Sequence, residues 1–377
     1  MEEGKYRLEL PAKVCVNICR LVLGLVFVFS GIVKAIDPVG TQIKIEDYLI
    51  AFGAGDLFLD STLLILACVL AGMEFLLGVY MTMGVFVRGT SLLLLMAMCV
   101  LTPFTLFTAI KNPVEDCGCF GDALILTNWQ TFSKNVFLLI VALYVFLRKK
   151  YIIPMVSAKR QWLVTLVTVI LVVRFMTGNI NGLPVIDFRP YKVGTDLHRE
   201  VVMRENPEMM DFFILDNDLN DLTDRVIDAP GYTFLFVSNH LETIDMSAQD
   251  MIDNLYDYCQ TYGYALYGLT SSGGYAVREW QDMTGSELEY LHADEIPLKT
   301  IVRSNPGLLL LKDGVIVNKW SGRRIPSEKE LSDSLDRIEV GQIPQKGLDH
   351  TPMGVALLFV LPLLLVVIID MLKKKIQ

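Results

Sequence analysis

Residues Asp116-Cys117-Gly118-Cys119-Phe120-Gly121-Asp122 are the part of this chain best suited to chemistry. Two cysteines separated by one glycine can close a disulfide in a small, strained ring. Strain makes such a bond easy to reduce, which suits exchange better than stapling. Gly118 and Gly121 allow the backbone to turn tightly over the thiols through positive φ. Two other readings stay open: a pair of inert loop cysteines, or half of a metal site. The metal reading is the weaker, because no second Cys/His pair at ligand spacing follows. Glu74 and Lys34 are the next candidates. Both are ionisable side chains inside apolar segments, where a lone charge is costly and a paired one faces the protein interior. Glu74 could serve as a structural inter-helix bond with Lys34 as partner, or line a path for a small molecule.

The elements that must position these residues are long apolar segments. Five are expected at about 14–36, 60–82, 89–110, 131–148 and 161–178, and a sixth at about 353–372. Each is near the ~20 residues that span a bilayer. The chain is 53% hydrophobic over 377 residues, too apolar for a soluble protein and too polar for a pure membrane bundle. Its net charge of −9 argues against a nucleic-acid partner. The first apolar run is too long for a cleavable signal peptide. Lys5, Arg7, Lys13, Arg88, the cluster Arg148-Lys149-Lys150 with Lys159 and Arg160, and Lys373-Lys374-Lys375 all fall on one side if every segment spans. That side is expected to be cytoplasmic. The Cys-Gly-Cys connector then lies in the oxidising periplasm of a bacterial inner membrane, where a thiol pair can cycle.

Between the first two spans, Ile43, Ile45, Tyr48, Leu49 and Phe52 alternate with Lys44, Glu46 and Asp47. This pattern predicts a short amphipathic helix after a turn at Asp37-Pro38, either covering the site or lying at the interface. Arg20 and Arg174 are expected to snorkel from helix ends. Cys15 and Cys19 sit about a bilayer thickness, ~30 Å, from the Cys-Gly-Cys pair. Cys68 and Cys99 lie at comparable depth in adjacent spans, and Cys259 reads as core.

The region 181–350 carries 29 Asp/Glu against 15 Lys/Arg, a solvated acidic surface. Tyr232–Ser238 reads as a strand buried on both faces. A helix carrying Met251, Leu255 and Tyr258 follows, and then a second strand at 264–269. Residues 307–311 and 315–320 form a hairpin around the turn Asp313-Gly314. A last helix is expected at about 327–338, N-capped by Ser327 with Glu330 three residues on.

Residues 10–150 resemble the DoxX/MauE group of bacterial membrane bundles. The resemblance rests on Phe29-Ser30-Gly31 with Lys34 and Asp37-Pro38, on Asp47-Tyr48-Leu49, on Glu74 with Gly78, and on Cys117-Gly-Cys-Phe-Gly121. The last motif is typical of the MauE branch, which is tied to methylamine dehydrogenase maturation. The resemblance implies a four-helix bundle working near periplasmic thiol or quinone chemistry, with Cys117 and Cys119 as the reactive residues and a quinone as candidate cofactor. The soluble region resembles thioredoxin-like domains of the TlpA/peroxiredoxin type. Asn305-Pro306-Gly307 stands where that family has its cis-proline loop, which makes Pro306 a candidate site residue. Where that family carries Cys-x-x-Cys, this chain reads Ser238-Asn239-His240-Leu241, so the region cannot perform dithiol exchange itself.

The expected architecture is an α-helical membrane bundle with an inserted α/β thioredoxin-like domain. Residues 1–150 form the four-helix core and 151–180 a fifth span. The periplasmic domain covers 181–350, and a sixth span with a basic tail covers 351–377. Its expected partners are membrane lipid and a periplasmic client or thiol partner. Three functions compete: a membrane thiol redox protein, a non-catalytic maturation scaffold, and a small-molecule carrier.

Overall fold

The computed structural model describes residues 2–114, 116–244, 249–345 and 347–376. The side chains of Lys5, Arg7 and Lys375, which contribute to the basic bias, lie outside the described residues. The chain divides into two units, residues 1–180 with 348–377, and residues 181–347.

The first unit is helical. Its elements are α1 (Glu2–Ile36), α2 (Pro38–Ala51), α3 (Asp60–Met83), α4 (Val87–Lys111), α5 (Asn128–Arg148), α6 (Gln161–Asn181) and α11 (Pro352–Ile376). Among the described residues six helices are long and apolar enough to cross a membrane. The protein is a multi-pass membrane protein, and its apolar outer side chains, such as Ile65, Val100, Ile140 and Leu361, contact lipid. Helices α1, α3, α4 and α5 form the central bundle around Leu23, Phe27, Met81, Leu94, Met98 and Leu138.

Small residues set the closest contact. A Cβ at Gly78 would lie 2.4 Å from the Val28 amide nitrogen, and one at Gly31 would lie 2.4 Å from that of Phe75. Without side chains there, α1 and α3 meet backbone to backbone, as membrane helices do when no hydrophobic drive joins them. Helix α11 joins by packing Phe359 edge-to-face with Phe75 and Phe175 at ring distances of 4.8 and 5.4 Å. Its far end is held by Asp370, wholly buried, which accepts from Arg160 at 2.6 Å, from Lys374 at 2.9 Å and from the hydroxyl and amide of Ser157.

The second unit carries α7 (Thr223–Ile227), β1 (Tyr232–Ser238), α8 (Gln249–Tyr262), β2 (Ala265–Thr270), α9 (Gly274–Thr284), β3 (Glu289–His292), α10 (Glu295–Ile301), β4 (Gly307–Lys312) and β5 (Val315–Ser321). Its sheet runs β3-β2-β1-β4-β5; β1, β2 and β3 are parallel, and β4 and β5 are antiparallel to their neighbours. All seven residues of β1 are buried, as its continuous apolar run requires. Alternation sends Leu235 and Val237 to a core shared with α7 and α10, and Phe234 and Phe236 to one shared with α8 and α9. Cys259 is buried in the second of these cores. The hairpin turns at Asp313-Gly314, both at positive φ.

Two expectations fail. Residues 327–338 form turns, not a helix. Ser327 and Glu330 do pair, at 2.7 Å, but Leu331 and Leu335 are drawn into the sheet's second core, and the chain bends to seat them. Arg20 does not snorkel: it is 4% exposed and packs against the turn at Gly84.

Candidate functional site

The connector between α4 and α5 turns back over one end of the bundle. Asn112 caps α4 at positive φ, and Thr127 begins α5 with a reciprocal capping box to Gln130. Asp116 and Thr127 bridge as an isolated antiparallel pair, closing the neck of the loop. Gly118 has φ +64, and a Cβ there would press on the Lys44 side chain at 3.2 Å. The loop therefore needs glycine between the cysteines for both its backbone and its packing.

The two thiols face each other with Sγ atoms 3.0 Å apart. Both cysteines are partly buried, and Phe120 beside them is buried against Phe29 at 5.2 Å. The backbone of Cys119 is anchored to the membrane helices. Its carbonyl oxygen accepts from Lys34 Nζ at 2.7 Å and lies 2.7 Å from Ser30 Oγ. Lys34 donates further to Glu74 Oε2 and to Ser30 Oγ, each at 2.8 Å, so all three ammonium protons are engaged. Ser30 Oγ also lies 2.7 Å from Glu74 Oε2. The expected Lys34–Glu74 partnership is thus an ion pair, 6% and 16% exposed, and its third party is the cysteine loop. Ser30 appeared in the sequence only as part of a family motif; its position one helical turn before Lys34 was the available signal.

Helix α2 covers the loop and does not merely lie at the interface. Asp37 caps it by accepting from Gly40 N at 2.7 Å, and Pro38 opens it. Lys44 then reaches Asp116 at 2.7 Å, and Asp116 accepts from Gly118 N at 2.8 Å. Tyr48 presents its hydroxyl to Cys117. From α5, Lys134 places its ammonium 4.1 Å above the Phe120 ring.

These surroundings split the thiols. The Cys119 thiol is lowered to about 6, first by the hydrogen bond from Cys117 and then, against the effect of burial, by the positive charges of Lys134 and Lys34. Cys117 is pushed up, because its proton is held in that bond and because it is buried. Of the aspartates that flank the motif, Asp116 is held by Lys44 at 2.7 Å. Cys119 is therefore the thiolate and Cys117 the thiol that donates to it.

Beneath the pair lies a cavity of about 210 Å³, bounded by α1, α2, α3, α4 and α5. No group of three or more His, Cys, Asp or Glu suited to a metal occurs among the described residues.

In the second unit, the loop after β1 is tied down without thiols. Asn305 Oδ1 accepts from Ser238 Oγ at 2.9 Å and Asn239 N at 3.1 Å, and its Nδ2 donates to the His240 carbonyl at 3.0 Å and Thr243 Oγ1 at 2.9 Å. The Asn305–Pro306 bond is cis. His240 is exposed and meets Glu295 at 3.2 Å. Cys15, Cys19, Cys68 and Cys99 are free cysteines of the helical unit, outside this loop.

Comparison with curated proteins and with solved structures yields no match. Residues 12–148, which hold the four-helix bundle, the Lys34–Glu74 pair and the cysteine loop, match the family described as methylamine utilisation protein MauE.

Proposed function

We propose that the protein is a bacterial inner-membrane thiol–disulfide exchange protein, with Cys117 and Cys119 as its redox pair on the periplasmic side. The observation that carries this reading is the thiol pair itself: Sγ atoms 3.0 Å apart, in a loop clamped by charged side chains of the bundle. In the disulfide form, a client thiolate attacks Cys117 Sγ, the Cys117–Cys119 bond breaks, and Cys119 leaves as a thiolate. A low thiol pKa makes it the better leaving group. A second client thiolate then displaces Cys117 from the mixed disulfide, leaving the client oxidised and the pair reduced. Lys34 and Ser30 hold the Cys119 backbone in place, and Lys134 favours the departing charge.

The second unit fits a thioredoxin-like module that binds a client without reacting with it. Support comes from the β1-α8-β2 crossover, the β4-β5 hairpin and the cis Asn305–Pro306 bond, with Ser238-Asn239-His240 in place of a thiol motif. The MauE match makes maturation of a protein used in methylamine utilisation the first client class to test.

Trapping tests the reading. A Cys119→Ser variant expressed in cells should accumulate reductant-sensitive adducts through Cys117, and the double Cys→Ser variant should show none. Absence of adducts in both Cys119→Ser and Cys117→Ser overturns exchange and leaves a scaffold role.

A further inference from the structure

Exchange by a dithiol pair expels two sulfurs in turn, and here they leave into different surroundings. Cys119 leaves first, toward the positive charges of Lys134 and Lys34. Cys117 leaves second, from the mixed disulfide, when Cys119 is already a thiolate. The two Sγ atoms of the reduced pair are 3.0 Å apart, so the second negative charge forms beside the first. Like charges that close resist forming together unless a further group stabilises one of them. Lys44 is engaged with Asp116 at 2.7 Å, and Lys34 with Glu74, Ser30 and the Cys119 carbonyl. Lys134 lies over the Phe120 ring and acts on both sulfurs through space.

One hydroxyl is aimed at Cys117. Tyr48 Oη is buried, meets no oxygen or nitrogen, and turns to the Cys117 thiol. Its place is fixed from two directions. One turn earlier on α2, Lys44 ties the helix to the cysteine loop through Asp116. The phenol ring itself packs against Phe104 of α4 at 5.4 Å and over Phe52 at 6.3 Å. A donor held in position before the charge develops needs no reorganisation when it does.

We propose that Tyr48 is a catalytic residue of the exchange, whose hydroxyl donates a hydrogen bond to Cys117 Sγ as that sulfur leaves the mixed disulfide. The inference rests on the exchange reading above. In this step the second client thiolate attacks the client sulfur bound to Cys117. The client's own S–S bond forms, the bond to Cys117 breaks, and its electron pair stays on Cys117 Sγ. The client is oxidised by two electrons and the pair is reduced by two. Tyr48 stabilises the new charge until a proton from solvent at the loop restores the Cys117 thiol. That thiol then donates to the Cys119 thiolate, as in the reduced pair.

The test uses the disulfide form of the full-length protein in lipid nanodiscs, with glutathione as the thiol probe. Samples taken over time are acid-quenched, alkylated and read by peptide mass. Loss of the Cys117–Cys119 disulfide reports the first step, and decay of glutathione bound to Cys117 reports the second. Tyr48→Phe keeps the ring and its packing and removes only the donor. It should leave the first step within about twofold of wild type and slow the second about tenfold or more, so that the glutathione adduct of Cys117 accumulates. The ratio of the two steps is the readout, because a loop that is merely displaced slows both. Equal slowing of both steps by Tyr48→Phe, or of neither, overturns this inference and leaves the exchange reading standing. A wild-type disulfide that glutathione does not open removes both.

Discussion

Lys34 is the residue on which the site depends most. It sits 6% exposed among helices that offer no water, and its three protons go to Glu74, Ser30 and the Cys119 carbonyl. Replacing it with methionine leaves Glu74 buried and unpaired, with an expected loss of about 3–5 kcal/mol. Adding Glu74→Met should return most of that stability, because the uncompensated charge is gone, yet the cysteine loop would still lack its anchor. Thermal melts in nanodiscs check the first statement. The exchange rate with a model dithiol checks the second, which expects a slow double variant. The thiols make a separate prediction. Cys119 should stay a thiolate down to about pH 6 and lose reactivity as pH falls through that value. Since the hydrogen bond from Cys117 is the leading cause, Cys117→Ala should move the midpoint upward; alkylation rates from pH 4 to 10, read by peptide mass, report both. The pair and its Lys34–Glu74 neighbours were legible in the sequence as charges inside apolar runs and cysteines beside glycines. Which thiolate forms was not, because the answer depends on Lys134, seventeen residues from the loop's first cysteine in a different element.

Helices α1 and α3 carry the two halves of the ion pair, so their separation decides whether it forms. Gly24, Gly31 and Gly78 let them touch. A Cβ at position 78 would stand 2.4 Å from a backbone nitrogen, which no rotamer change relieves. Gly78→Leu is therefore expected to destabilise the bundle by about 1–3 kcal/mol or more and to part Lys34 from Glu74. The expected readout is a lower melting point together with Cys119 alkylation that resembles the Lys34→Met variant. Apolar length and lysine spacing mark every spanning helix in the sequence. Helix α2 was legible as amphipathic, but its place over the site follows from Lys44 meeting Asp116 and from Gly118 making room for the lysine stem, both tertiary facts. The same limit explains residues 327–338. Ser327 and Glu330 gave a sound capping signature, but Leu331 and Leu335 found the sheet's core, and burial outweighed local helical preference.

For the whole molecule, the topology we propose puts both termini in the cytoplasm, on the ground of six spans with basic residues at alternate ends. A cytoplasmic reporter fused after Gln377 should be active and a periplasmic one silent. The reverse result would move the cysteine loop into a reducing compartment and remove the setting in which it can cycle. The sheet unit was readable from its buried strand and Asp-Gly hairpin, since both signals are local. What fixes the loop after β1 could not be read, because its partner Asn305 stands far along the chain.

Thiol–disulfide exchange by this protein requires that Cys117 and Cys119 form a reversible disulfide. Full-length protein in nanodiscs, equilibrated across a series of glutathione buffers, acid-quenched, alkylated and read by peptide mass, measures this directly. The expected result is a single two-electron transition confined to the peptide that contains both cysteines, with the other five of the seven cysteines remaining thiols throughout. Full labelling of Cys117 and Cys119 in every buffer, including the most oxidising, would contradict it.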